Sequence, residues 1–291
     1  MSLWIAATAV VAFFLLPVVA IFTRVPPGEL LDQLSNDVVR DALRVTLETN
    51  LVALAFILVL GTPAAYVIAT RSFRGRALVL TLIELPLVLP PAVAGIGLLA
   101  AFGRTGLLGD ELDALGVSVS FTRTAVMLAV AFVAGPFYVR PAIAAFESVD
   151  PTLLGAARTL GAGPGRTFVR VALPLASAGL GAGAALAFAR GLGEFGATIM
   201  FAGSLQGVTQ TLSLAIYQEF DLNFDAALAI SALLVLVSGV LLLSVKVIAG
   251  WRSTYTSLIP FGRSPSTSSA SSRTNERRET EMSTRSVSMQ A

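Results

Sequence analysis

This sequence predicts an all-α fold, a polytopic membrane bundle of six transmembrane helices. Three observations lead there. The chain is 55% apolar and only 13% charged, with a mean hydropathy of +0.80, whereas a soluble domain carries about a quarter charged residues. Its charge-free stretches recur at lengths near the roughly 20 residues that carry a helix across the hydrocarbon layer. Its arginines gather in alternate connecting segments, as the retention of Lys and Arg in short cytoplasmic loops requires. The lack of cysteine and histidine excludes disulfide frameworks, thiolate nucleophiles, imidazole bases and the common zinc sites. Little remains from which to build an enzyme.

The predicted spans are Met1 to Thr23, Thr49 to Thr70, Leu85 to Gly103, Thr124 to Val139, Val171 to Ala189 and Ala226 to Val245. The first has no basic leader region, which favours a retained span over a cleaved signal peptide. After Pro26-Pro27-Gly28, residues Leu30, Leu31, Leu34, Val38, Val39 and Leu43 recur at helical spacing among acids. That segment reads as a short amphipathic helix at the outer interface, or as a plain connecting loop. The fourth span is short, and its flanking Arg123 and Arg140 can snorkel to polar surroundings. The stretch from Phe195 to Gln218 is uncharged but rich in Gly, Thr, Ser and Gln, and is not expected to span. From about Gly262 onward Ser, Thr, Arg and Glu prevail. Such a tail cannot bury enough surface to offset its ordering entropy and is expected to be disordered. The chain thus divides into an N-terminal helix with its external segment (1–44), a core membrane domain (45–250) and a cytoplasmic tail (251–291).

Orientation follows from the basic residues. With the N-terminus inside, Arg71, Arg74, Arg76, Arg140, Arg158, Arg166, Arg170, Lys246, Arg252 and five tail arginines fall inside. Arg24, Arg40, Arg44, Arg104 and Arg123 fall outside, where most of the acids also lie. Fourteen against five places both termini in the cytoplasm, with the protein in the plasma membrane.

The cytoplasmic loop between spans four and five, about 147–174, is the most specific segment. Asp150-Pro151 is a helix start, since the carboxylate accepts free amide protons and proline fits the first helical position. Leu153, Leu154, Ala157 and Leu160 follow on one face, and Gly161 suits the left-handed residue past a helix end. A second short helix, Arg166 to Leu173, is expected to stop at Pro174. Beyond it, Gly179 and Gly183 lie four apart in a run of small residues that lets helices approach closely in lipid.

Two intramembrane features suggest a pathway or gate. Arg190 and Glu194 interrupt apolar surroundings and are four apart, so on one helix they would face each other. Charges at that depth usually mark a pathway or a paired network. Leu85-Pro86 and Leu89-Pro90-Pro91 should kink or break the third span, leaving carbonyls tolerable only against protein or a wet cavity. Pro90, Pro91, Arg190, Glu194 and Thr198 are therefore candidates for the pathway, with simple charge neutralisation and a lipid-facing bend as the plainer readings.

The spacing Gly155-Ala156-Ala157, Gly161, Val171, Leu173-Pro174 resembles the EAA signature of ATP-binding-cassette importer permeases. Gly155 stands where that family usually has Glu, with Glu147 or Asp150 as candidate substitutes, and Val171 where it usually has Ile. The run Ala189 to Gly203, the run Thr209 to Tyr217, Leu87 to Pro91 and Phe146 to Pro151 resemble molybdate permeases in particular. Ser213 replaces that family's usual Pro. Phe195 and Ala197 differ from the Glu-Tyr-Gly-Ser version of sulfate permeases. The resemblance, covering roughly Val45 to Gly250, implies the transmembrane domain of a type I ABC importer carrying molybdate or tungstate, with sulfate or thiosulfate as the alternative. It implies a second copy of this chain, two ATP-binding subunits and an extracytoplasmic oxyanion-binding protein. The loop at Asp150, Gly155, Ala156, Ala157, Gly161, Val171, Leu173 and Pro174 would couple to the ATPase. With no GxxxxGK[ST] loop in the sequence, no cofactor is expected on this chain, and ATP and Mg²⁺ would act on the partner. No nucleic-acid partner is expected. An ATPase-independent secondary transporter would be expected to show two repeated halves, and no such repeat is evident.

Overall fold

The computed structural model describes residues 2–26, 28, 30, 32 and 35–256. The tail from 257 onward, and with it most of the expected disordered segment, lies outside the described residues, as do Leu31 and Leu34 of the amphipathic stripe. The chain divides into units of Met1–Ala249 and Gly250–Ala291. The described residues form helices and connecting loops.

Helix α1 (Ser2–Arg24) is apolar around its whole circumference and exposed from Trp4 to Ala20, as expected of a helix that faces lipid. Helix α2 (Asp37–Thr70) has 34 residues and starts at Asn36, whose side chain accepts the Val38 N–H. Residues 37–48, expected in a separate interfacial segment, are thus continuous with the second span. The charged segment 37–48 is the N-terminal extension of the second span, with Arg44 and Glu48 paired at 2.6 Å along one face. At 1.5 Å per residue α2 is about 51 Å long, well beyond the roughly 30 Å hydrocarbon layer.

The third span is not one helix. Helix α3 (Arg76–Val88) and α4 (Pro91–Phe102) meet at a bend of 116°. Leu89 and Pro90 both lie in extended backbone, with ψ of 133° each. Each precedes a proline, whose ring drives the residue before it out of the helical region. Pro86, expected to interrupt as well, sits inside α3 without breaking it. A short helix α5 (Gly109–Ala114) then leads to α6 (Arg123–Glu147).

Helix α6 is the hub, with 56% of its most apolar 18 residues buried. It packs against α2, α3 and α4. At 25 residues it runs past the predicted span, and the two arginines that bounded that span find acids. Arg123 pairs with Glu48 at 2.7 Å, and Arg140 pairs with Glu84. Tyr138, 1% exposed, stands 2.5 Å from the Thr62 hydroxyl, which itself donates to the Leu58 carbonyl. Tyr138→Phe removes one interhelical hydrogen bond and leaves no donor stranded. Thermal unfolding in detergent should show a loss of about 0.6 kcal/mol, the average for such bonds in a membrane bundle.

Beyond α6 come α7 (Pro151–Thr159), α8 (Pro164–Thr167), a wide π turn (Phe168–Ala172) and α9 (Leu173–Leu192). Helix α8, the π turn and α9 run on as one 29-residue apolar helix. Pro174 therefore does not stop the second loop helix. The Leu173 N–H reaches the Phe168 carbonyl, five residues back, and the widened turn makes room for the proline ring. The small residues of α9 lie against α6 as expected. A methyl on Gly179 would stand 2.6 Å from Ala145 Cβ, and one on Gly183 would stand 3.2 Å from the Tyr138 carbonyl oxygen.

The stretch after α9 holds two short helices, α10 (Gly196–Ala202) and α11 (Leu212–Leu222), followed by α12 (Phe224–Thr256). Among the described residues, four helices are long and apolar enough to cross a membrane, or five if α3 and α4 are one bent span. Helix α12 contributes a shorter apolar stretch, Phe224–Val240.

Candidate functional site

Two places gather the residues singled out in the sequence. The first is the knob formed by α7 and α8. The Asp150 carboxylate accepts the Thr152 N–H at 2.8 Å, and that bond holds its pKa below the ordinary carboxylate value. The other end of α7 closes in a paired motif. The Ala162 N–H reaches the Ala157 carbonyl and the Gly161 N–H the Arg158 carbonyl, both at 3.0 Å, with Gly161 at φ +83°. This is the left-handed helix end for which glycine is suited.

The knob is tied to the bundle by its inner face. Leu154 is buried, and the Phe168 ring lies 4.8 Å from Tyr66 of α2 and 6.2 Å from Phe146 of α6. Its outer face is apolar yet open. Leu153 is 48% exposed and Leu160 87% exposed, so these two do not share the buried face of Leu154. Ala156, Gly161 and Pro174 are exposed, while Gly155, Ala157, Val171 and Leu173 are half-buried. A side chain at Gly155 would meet nothing within 4 Å, so crowding does not explain the missing acid. Glu147 is engaged with Arg76 at 2.5 Å and Asp150 with its own helix start, so both acids that could stand in are already in use.

Asp150→Asn should keep the cap, and Asp150→Ala should weaken it, read as a lower unfolding temperature in detergent. Because the carboxyl's folded value is depressed, its contribution is full above the ordinary Asp value near 4 and fades as pH falls through the depressed one. Between about pH 6 and 8 this group should add no pH dependence.

The second place is the junction of α4, α9 and α10. Helix α9 ends at Leu192, so Arg190 and Glu194 do not share a helix as the spacing suggested. Their ion pair, Arg190 Nη2 to Glu194 Oε2 at 2.8 Å, closes across the helix end. Glu194 Oε1 accepts the Ala197 N–H at 2.8 Å, which caps α10. The Glu194 side chain is 1% exposed and that of Arg190 is 28% exposed, with the guanidinium 6.0 Å from the Phe137 ring centre. The Ser213 hydroxyl donates to the Glu194 carbonyl at 2.6 Å and lies 3.0 Å from the Thr211 hydroxyl. Here serine does what proline could not, since it hydrogen-bonds the break.

Pro91 abuts the same break. A methyl on Gly196 would stand 2.7 Å from Pro91 Cβ, and one on Gly95 would stand 2.6 Å from the Ala197 carbonyl oxygen. Pro91, Arg190, Glu194 and Thr198 are thus brought together around the start of α10, while Pro90 is only Pro91's neighbour in the chain. Thr198 is fully buried and its hydroxyl is without a hydrogen-bond partner. Sequence reading missed Gly95, Gly191 and Asn50. A methyl on Gly191 would stand 2.3 Å from Asn50 Oδ1, a contact between positions with no local signal to link them.

Comparison with known proteins places this architecture. The family model described as "binding-protein-dependent transport system inner membrane component" matches residues 51–251. The molybdenum transport system permease protein ModB of Mycobacterium tuberculosis is 43% identical over 242 residues, covering 83% of this chain and 92% of the relative. The sulfate transport system permease protein CysT of Escherichia coli is 39% identical over 216 residues, covering 73% and 77%. Among solved structures, a chain of the bacterial alginate ABC transporter in complex with an alginate pentasaccharide-bound periplasmic protein has a TM-score of 0.68 at 17% identity, covering 88% of this chain and 95% of that one. The fold is that of an ABC transporter transmembrane domain, and the chain belongs to the binding-protein-dependent transport system inner membrane components, the non-enzymatic permease subunits of ABC transporters.

Proposed function

We propose that this chain is the permease subunit of an ATP-driven importer that brings molybdate, or tungstate, across the cytoplasmic membrane. The observation that carries the cargo is the 43% identity to a molybdenum permease along 92% of that relative's length. The likeness to a sulfate permease keeps sulfate as the second reading. In this reading the membrane domain pairs with a second copy and receives cargo from an extracytoplasmic oxyanion-binding protein. Two ATP-binding subunits, which use the ATP and Mg²⁺, press on the knob. Six spans with both termini cytoplasmic satisfy the arginine distribution.

Two features support the knob's role. It is a short, doubly capped helix, and it leaves Leu153 and Leu160 exposed, apolar surface that is better covered by a partner than by water. The junction around Arg190 supports a pathway, because a partly open guanidinium within an apolar span is expensive against hydrocarbon, by roughly 2.5–3.5 kcal/mol.

The test is uptake by proteoliposomes holding this chain with its co-purified ATPase and binding protein. ATP-dependent uptake of molybdate, outcompeting sulfate, is expected. Uptake of sulfate alone would overturn the cargo, and uptake without the ATPase would overturn the importer class.

A further inference from the structure

Polar side chains buried inside this subunit are not spread evenly. Thr46, Thr49 and Asn50 lie on one face of α2, and Glu194, Thr198, Thr209, Gln210 and Thr211 lie around the break between α9 and α11. The two sets meet, since the Leu212 N–H donates to the Thr46 hydroxyl at 2.8 Å. Within this seam Glu194 is the buried charge, and its two oxygens do different work. Oε1 caps α10 through Ala197, and Oε2 holds Arg190.

Arg190 is the seam's open edge. It lies 17 residues beyond Leu173, so about 26 Å along α9 from the knob junction, towards the outer side of the hydrocarbon layer. A guanidinium presents five N–H donors. The bond to Glu194 engages Nη2, and more than a quarter of the side chain remains exposed in the isolated subunit. Arg is the side chain whose planar fork best fits a tetrahedral oxyanion, while its charge alone would hold a dianion too long for transport.

Resting on the permease reading, we propose that Arg190 is the intramembrane contact for the transported oxyanion and that Glu194 is the counter-charge that keeps its hold brief. The carboxylate cancels most of the guanidinium's charge without covering its donors. An arriving dianion competes with Oε2 for Arg190, while Oε1 stays on the Ala197 N–H. Helix α10 thus keeps its cap during the exchange, and Glu194 is in place to reclaim Arg190 and expel the anion. The guanidinium also lies over the Phe137 ring, 6.0 Å from its centre, a weak contact for its charge.

Glu194→Gln tests this, because the amide oxygen can still accept the Ala197 N–H while the charge is lost. The full complex of permease and ATPase in detergent, without binding protein, should retain radiolabelled molybdate at least tenfold more tightly in the variant than in wild type. Proteoliposome uptake should fall severalfold, and the tighter retention should vanish in the Arg190→Gln/Glu194→Gln double variant, which stays slow in uptake because it lacks the contact. Unchanged molybdate retention in Glu194→Gln would overturn the proposal, as would tighter retention that persists in the double variant.

Arg190→Lys keeps the charge and the ion pair but loses the fork, so it should assemble and transport molybdate severalfold more slowly. Wild-type rates in that variant would make the pair a helix fastener and nothing more. Failure of Glu194→Gln to assemble, with normal assembly of the double variant, would likewise reduce the pair to a fastener. Wild-type uptake, read in parallel, reports on the permease assignment itself. Its failure there, with any retention pattern, sinks the assignment rather than the role of Glu194.

Discussion

Gly161→Pro should abolish the stimulation of ATP hydrolysis by loaded binding protein while leaving the chain in the membrane. Gly161 sits at φ +83°, and proline is locked near −65°. Proline also removes the N–H that reaches the Arg158 carbonyl, so the closing motif of α7 loses half its bonds. The left-handed conformation costs an ordinary residue about 1–2 kcal/mol, and asparagine tolerates it best. Gly161→Asn should therefore retain a measurable share of coupling. Deleting Asp150 to Leu160 should match the proline variant, and full stimulation in either would contradict the role assigned to the knob.

Gly95→Leu should have a comparable effect by a different route. A Cβ there would lie 2.6 Å from the Ala197 carbonyl oxygen, 2.8 Å from Met200 Cβ and 2.9 Å from Ala197 Cα. The two nearest backbone atoms belong to α10 and cannot rotate away, so α4 and α10 must separate. Overpacking of this kind costs about 1–3 kcal/mol and occasionally more. It should appear as a lower unfolding temperature in detergent and a near-complete loss of uptake. Gly97→Leu is the control, because a Cβ at that neighbouring glycine meets nothing within 4 Å. Equal damage at both positions would remove the packing explanation.

What was legible in the sequence was mostly local. Asp150-Pro151 and Gly161 punctuate α7 through bonds within a few residues, so the start and end of the knob could be read directly. The break at Leu89-Pro90-Pro91 was legible because two consecutive residues each precede a proline. Pro86 and Pro174 read as interruptions and are not, for the converse reason. A single proline within a helix can be absorbed when the backbone adjusts, as the π turn before α9 does. The N-terminal third of α2 was hidden because apolar windows register lipid, not helix. The charges from Asp37 to Glu48 end the apolar window without ending the backbone ladder. The ion pair of Arg190 was foreseen from spacing, but its geometry was not, since the helix end between the partners depends on Ser213 and Pro91 arriving from elsewhere. Asn50 facing Gly191 could not be seen at all, because such contacts join positions far apart in the chain.

The uninterrupted length of α2 has a mechanical consequence. Near its C-terminal end Tyr66 packs against Phe168 of the π turn that follows the knob. Twenty residues earlier, Thr46 holds the Leu212 amide and Glu48 holds Arg123, about 30 Å away at helical rise. Between the two grips Pro63 sits inside the helix and lacks the N–H for one bond of its ladder. In the proposed importer a nudge at the aromatic end would reach the opposite rim as a tilt about that joint, with the stretch from Pro63 back to Thr46 as the lever arm.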